Sequence, residues 1–478
     1  MTMHQRLHLK VCHDTIALPL ANTLLNLSDN TRCSFHALPL RRGKSIRNSI
    51  LEEKFTKLFG HLMAAEETVG APYFDTFLWP QQSIARAEEL AARLFGADDT
   101  LFVSCGTTLA NHIAIEALIK PGDKVLVEKN THQSVHFALL RMGAQIDYLQ
   151  PKVFCEHSEK NAFDLEEMIQ KAAAAEQSKS PYALVVFSGQ SYDGVMYDAS
   201  EIIKRLVAAS PSLANVLVDE AWGAWAYFSA LTRNLTAMHA AAQFPNKRML
   251  NVVATQSAHK SLSALRQGSF IHCSGEERLG ERLRLARFRL HTTSPSYPIL
   301  ASLDLARAQM EIEGEDLVSR SIRLAILVRN TLKNDPDLAC FVVNEAENEH
   351  VLPSHTRLDP TKLSIRVDGL PHLASDVRDT LYRQYGIYIS RYTRTSLLLN
   401  FHIGIEEEDV NILLNALRAI QGQLVCSSPE NQVSNAFIIP YPPGVPIIVP
   451  GDELDADACK RINALVADGV RLFTVNRV

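Results

Sequence analysis

What this chain lacks narrows its function first. Eight cysteines (Cys12, Cys33, Cys105, Cys155, Cys273, Cys340, Cys426 and Cys459) are scattered with no C-x-x-C pair. That excludes the common zinc spacings and points to a reducing compartment, with no metal site expected. A basic excess is also absent: the formal net charge is -5, against what a phosphate-tracking nucleic-acid binder needs. No uncharged apolar run reaches the ~18 residues of a membrane span. The first residues show no basic segment followed by an apolar stretch and a cleavage site. Neither a G-x-G-x-x-G nor a Walker lysine is present, so the usual nucleotide cradles are missing. The expectation is a cytoplasmic protein without nucleic-acid or membrane partners.

What is there is ordinary for a globular protein. The 478 residues, 46% hydrophobic and 21% charged, predict more than one domain. Residues 1–82 form an N-terminal segment with weak helical patterning, and Arg41-Arg42-Gly43-Lys44 reads as a solvated loop. From Ser83, expected as a helix cap, helices and strands alternate. Helices are expected over 83–94, 109–118, 134–142, 165–175 and 202–208. Strands are expected over 101–104, 124–128, 145–149, 183–187, 216–218 and 249–254. That alternation predicts an α/β large domain over 83–314 with a mainly parallel sheet. Further helices are expected over 276–289 and 298–312. From 315 to 478 a smaller C-terminal α+β domain and tail are expected. They comprise helices 323–333 and 407–420, strands 362–367 and 396–401, a polar linker 427–435 and a last helix near 456–467.

In a parallel sheet, ligands gather at the carboxyl ends of the strands. Three groups fall there. The segment Ser257-Ala-His259-Lys260 ends a buried strand, where desolvation frees a lysine amine to act as a nucleophile. Gly106-Thr107-Thr108 opens a helix, offering N–H groups, hydroxyls and a positive dipole end to a phosphate. Asp219, followed by Glu220, Ala221 and Trp222, closes another strand and is placed to keep a pyridine nitrogen protonated. His132 is placed to stack on a ring. Together they form a pyridoxal 5'-phosphate (PLP) constellation: lysine, phosphate cradle, electron-sink clamp and ring sandwich.

The ordered set resembles the fold-type-I ornithine/lysine/arginine decarboxylases. Ser257-Ala-His-Lys260 is similar to their Ser-Thr-His-Lys loop, Gly106-Thr-Thr-Leu-Ala-Asn111 to their phosphate loop, and His132-Gln-Ser134 to their His-Lys-Ser segment. Tyr192-Asp193-Gly194, Asp219-Glu-Ala-Trp222, Thr292-Thr293-Ser-Pro-Ser-Tyr297 and Pro440-Tyr-Pro-Pro-Gly-Val-Pro446 match in kind and order. The resemblance implies an aspartate aminotransferase-like fold, PLP in a Schiff base with Lys260, and a pyridine contact at Asp219. It implies cofactor contacts at Gly106, Thr107, Thr108, His132, Ala221, Trp222, Ser257 and His259. It also implies a homodimer with shared active sites, Thr292 and Thr293 reaching the neighbouring subunit's cofactor. The activity implied is decarboxylation of a basic amino acid to its amine, as in polyamine metabolism.

The chain departs from that pattern in several places. It looks like the short form, with no room for the N-terminal wing of the large bacterial members, and Gln133 replaces a lysine. The family's His-x-Pro-Gly-His segment is poorly matched at Phe35-His36-Ala-Leu-Pro39. Where those decarboxylases show Glu-Lys-Thr-Gly, this chain reads Ser390-Arg391-Tyr-Thr-Arg394. An arginine there that gripped the substrate carboxylate would favour transamination or aldol-type C–C chemistry. In the other reading, Arg391 and Arg394 are surface charges. A third class, a non-catalytic dimerisation module, is disfavoured by the intact Lys260 and Asp219.

Overall fold

The structure, a computed structural model, describes residues 16–35, 38–66, 73–155, 160–244, 250–343, 352–367, 374–426, 436–441, 446–452 and 471–476. The polar linker 427–435 and the last helix expected near 456–467 lie outside them.

Chain order gives β1 (Asp99–Val103), β2 (Lys124–Glu128), β3 (Gln145–Leu149) and the hairpin β4 (Pro151–Cys155) and β5 (Lys160–Phe163). Then come β6 (Leu184–Ser188), β7 (Val195–Tyr197), β8 (Asn215–Asp219), β9 (Asn251–Gln256) and β10 (Ser269–Ser274). Seven of them form one sheet in the order β1-β10-β9-β8-β6-β2-β3. The pairs β9/β8, β8/β6, β6/β2 and β2/β3 are parallel, and β10 runs against both neighbours. Strands β6, β8, β9 and β10 are buried along their whole length. That follows from helices on both faces. Helices Leu165–Gln177, Ala199–Ala209 and Ala237–Ala242 cover one face, and Gly106–Leu118, Gln133–Met142 and Leu279–Leu290 the other. This is the fold-type-I, aspartate aminotransferase-like α/β architecture.

A second sheet follows, with β11 (Val342–Val343), β13 (Lys362–Arg366), β15 (Ser396–Asn400) and β14 (Arg391–Tyr392) in that order. Its core is shared with helices Ala374–Tyr385 and Glu407–Cys426 and with the end of a long helix. Between them, β12 (Thr356–Leu358) pairs with β7, so the two parts are stitched by strand pairing near the cavity.

The structure corrects several expectations. The helices expected over 298–312 and 323–333 are one 38-residue helix, Tyr297–Asn334, so residue 315 lies inside it. Its single glycine does not break it: a Cβ at Gly314 would sit 2.9 Å from Met310 Cε and 3.1 Å from Phe228 Cδ1, so glycine is there for packing. Ser83 is not the cap of helix Ser83–Phe95. Asp75 reaches in from outside, its Oδ2 accepting the N–H groups of Gln82 (2.8 Å) and Ile84 (3.0 Å), which satisfies orphan donors that a cap residue otherwise serves. Arg41–Ile46 is a short 3-10 turn. Arg42 is not solvated there, since it donates to the carbonyls of Ser28 and Thr31. They belong to the end of the N-terminal helix Pro19–Asn30. That helix is held at its other end by buried Asp304, whose Oδ2 accepts the N–H groups of Leu20 (3.0 Å) and Ala21 (3.1 Å). The hairpin β4–β5 and the antiparallel β10 carried no expectation.

Candidate active site

A cavity of about 730 Å³ opens at the carboxyl ends of the parallel strands, lined by Gly106, Thr107, Thr108, His132, Asp219, Ala221, Trp222, Ser257, His259 and Lys260 among others. Every residue expected from the motifs around the lysine, the phosphate loop and the strand-end aspartate is therefore brought to one hollow. Lys260 sits in the short helix Ala258–Ser261 directly after β9. Its Nζ stands 4.3 Å from the centre of the Trp222 ring. Burial lowers its pKa below the ordinary lysine value, while the charge of Asp219 works the other way. The net direction favours a free amine, the nucleophilic form.

Asp219 is the last residue of β8 and is 4% exposed. Its Oδ1 accepts the N–H of Ala221 at 3.0 Å and its Oδ2 the amide of Asn111 at 2.9 Å. Both donors are neutral, and no cation pairs with this carboxylate among the described residues. Asn111 extends the network: its Oδ1 accepts the Thr255 hydroxyl at 2.6 Å and its Nδ2 donates to Ser134 Oγ at 3.0 Å. His132 Nδ1 accepts the Ser134 N–H, so the Ser134 hydroxyl, 2.9 Å away, donates to the same nitrogen. His132 thereby caps helix Gln133–Met142. One chain of hydrogen bonds thus sets both the Asp219 carboxylate and the His132 ring.

The phosphate-loop end is built as a helix start. Gly106 has φ +80, a left-handed conformation that side chains resist, and its N–H goes to the Gln267 carbonyl at 2.8 Å. The Thr107 hydroxyl lies 2.5 Å from Ser257 Oγ and 2.9 Å from Ser269 Oγ. It braces the helix start against the lysine loop as well as facing the cavity. His259 Nδ1 lies 2.9 Å from the Gly268 carbonyl, which can only accept, so Nδ1 carries the proton. Burial lowers this imidazole's pKa, keeping it neutral.

Four expected residues stand apart from this cavity. Thr292 and Thr293 are exposed, just past helix Leu279–Leu290. Arg391 lies over the Tyr192 ring and donates from Nε to Asp193 Oδ1 at 2.8 Å, lining a neighbouring pocket. Arg394 is exposed.

The sequence reading missed Asn111 as an anchor, although it quoted it within the loop. It also missed Lys362, the first residue of β13, which is 4% exposed. Lys362 Nζ donates to the carbonyls of Tyr192 (3.0 Å) and Ser191 (3.3 Å) and lies 5.0 Å from the Trp222 ring centre. Burial lowers its pKa, with Asp359 and Asp193 opposing. Glu128 was read only as the end of a strand. It is buried behind the cavity, accepting from Ser188 N at 2.8 Å and the Tyr197 hydroxyl at 3.0 Å, and burial pushes its carboxyl up to about 7. No local motif marks Lys362 or Glu128; both matter through the fold.

Fold and cavity define the class, a fold-type-I α/β enzyme with its lysine and strand-end aspartate in one hollow. A family model described as Orn/Lys/Arg decarboxylase, major domain, matches residues 18–409. The chain belongs to that family and is an enzyme of the lyase class. It is 27% identical to an arginine decarboxylase of Bacillus anthracis over 489 residues, covering 95% of this chain and 94% of that protein. It is 32% identical to the lysine decarboxylase LdcA of Pseudomonas aeruginosa over 332 residues, covering 66% of this chain and 43% of the relative. Among solved structures, the Francisella novicida lysine decarboxylase LdcF superposes with a TM-score of 0.74 at 20% identity, covering 99% of this chain and 83% of that one. That last likeness bears on the fold. Among the described residues, no helix is long and apolar enough to cross a membrane, and no group of three or more His, Cys, Asp or Glu side chains is placed to hold a metal.

Proposed function

We propose that this protein decarboxylates a basic amino acid of the ornithine, lysine or arginine class, using PLP carried on Lys260. The relatives named as arginine and lysine decarboxylases support the reaction class. The observation that carries the cofactor reading is Asp219: a buried carboxylate at the cavity wall, held by two neutral donors and paired with no cation among the described residues. A protonated pyridine nitrogen is the partner that such a carboxylate suits. The first turn of helix Gly106–Leu118, with Thr107, Thr108, Ser257 and His259, would hold the phosphate, and His132 would flank the ring.

When bound, PLP supplies an electron sink for the pair left at the substrate's α-carbon as carbon dioxide departs. The chain's own residues do the rest. Lys260, its proton affinity lowered by burial, offers the amine and afterwards a proton donor next to the reacting carbon. Asn111 and Ala221 hold the carboxylate of Asp219 in one orientation at the cavity wall, where a ring nitrogen would meet it. Trp222, packed edge-on against Tyr192 at 4.7 Å, walls the hollow beside the lysine. Arg391 is engaged by Asp193, and neither it nor Arg394 lines the cavity of this chain. The reading in which the substrate carboxylate is retained therefore gains no support.

In the same proposal, residues 83–314 act as the cofactor-binding unit, 315–478 as the smaller unit with the tail, and 1–82 as an N-terminal segment. The protein works in the cytoplasm as a homodimer, with Thr292 and Thr293 serving the partner's cavity. The test is to load the protein with PLP and supply ornithine, lysine and arginine separately. Carbon dioxide with the matching amine from one of them is expected; none from all three refutes the proposal.

A further inference from the structure

Lys160, the first residue of β5, is 3% exposed, and its Nζ has no hydrogen-bond partner among the described residues. Buried ammonium groups are ordinarily paired, and one left alone calls for an occupant beside it. Lys160 lines a small pocket next to the main cavity, together with Asp193, Ser364, Arg391, Thr393 and Ser396. The charges there do not balance. Asp193 is taken by Arg391, which donates from Nε at 2.8 Å and from a second nitrogen at 3.3 Å. The positive charge of Lys160 is left over. Thr393 Oγ1 accepts the Ser396 N–H at 3.1 Å, so its hydroxyl proton remains to be donated.

Size and sign then choose the guest. The pocket's volume of about 10 Å³ has room for one guest of roughly the size of a water molecule, which leaves out phosphate and carboxylates. Among the described lining residues, two cationic side chains against one carboxylate leave out a metal ion. We propose that this pocket binds a single small monovalent anion, of the chloride type, against the Lys160 ammonium and the Thr393 hydroxyl. The ion completes the charge balance at a junction of three elements: hairpin β4–β5 through Lys160, the cavity wall through Asp193, and the second sheet through Arg391 and Thr393. Asp193 and Asn161, the residue after Lys160, both line the main cavity, so the ion braces its edge.

Two measurements test this on the full chain. Crystals soaked in bromide should show an anomalous peak in contact with Lys160 Nζ; a pocket holding only water overturns the proposal. At fixed ionic strength, replacing gluconate by chloride should raise the wild-type Tm by on the order of 2 °C, as for any ligand that binds only the folded state. Lys160→Met should lose that response, and an equal chloride shift in both proteins overturns the assignment. Should the variant fail to fold, the bromide map on the wild type decides.

Discussion

Asn111→Asp isolates the site's electrostatics with almost no change of shape. The substitution replaces the amide that donates to Asp219 and to Ser134 Oγ by a second carboxylate, 2.9 Å from Asp219, while the Thr255 hydroxyl retains its acceptor. Asn111 is 1% exposed and Asp219 4%, so water screens the pair little. Two like charges that close repel by roughly 6 kcal/mol at an effective dielectric of about 20. That far exceeds the ~1.4 kcal/mol that one pH unit represents, so one of the two carboxyls keeps its proton through neutral pH. The folded-state pKa of that carboxyl is raised above its unfolded value. Its contribution to stability is therefore present at low pH and lost as pH rises, by about 1.4 kcal/mol per unit. Between about pH 5 and about pH 8 the variant should fall behind the wild type by a further ~4 kcal/mol. Denaturant midpoints of the cofactor-free proteins across that range measure it. A stability gap that stays constant with pH would refute the reasoning.

Other consequences are nearer to hand. Burial raises Glu128 from 4.5 to about 7, so its contribution is present below pH 4.5 and lost as pH rises through 7. Relative to the wild type, Glu128→Gln should gain up to about 3 kcal/mol over that window, read from melting curves at several pH values; a flat difference contradicts it. Asp304→Ala removes the acceptor of the Leu20 and Ala21 N–H groups and the fully buried partner of Arg307, 2.6 Å away. A loss of about 3–5 kcal/mol is expected, with faster proteolysis within residues 16–35. Unchanged cleavage there would mean that other contacts hold the helix Pro19–Asn30.

The part of this molecule that was legible in the sequence is the part written locally. Strands such as Val216–Val218 and Lys124–Glu128 are continuous apolar or alternating runs bounded by turns, and the sheet placed them within a residue or two. Lys260, Asp219 and Gly106 were readable because each sits at a strand end beside small or hydroxyl residues. What escaped depends on distant partners. Asp75 caps a helix eight positions further on, and Asp304 caps one nearly three hundred residues earlier in the chain. The long helix looked like two because its middle is polar; its one glycine, Gly314, is packed closely beside Phe228 and Met310. Strand β13 brings Lys362 beside Trp222 and β2 brings Glu128 behind the cavity wall at Ser188, and no neighbouring residue announces either.

The account rests on Lys260 as the amine that carries the cofactor. Reducing the PLP-loaded protein with borohydride and mapping the pyridoxyl mass by peptide sequencing tests this directly. The account expects the label on Lys260 alone, and its loss in Lys260→Ala. A label on Lys362, on another lysine, or on none would contradict it.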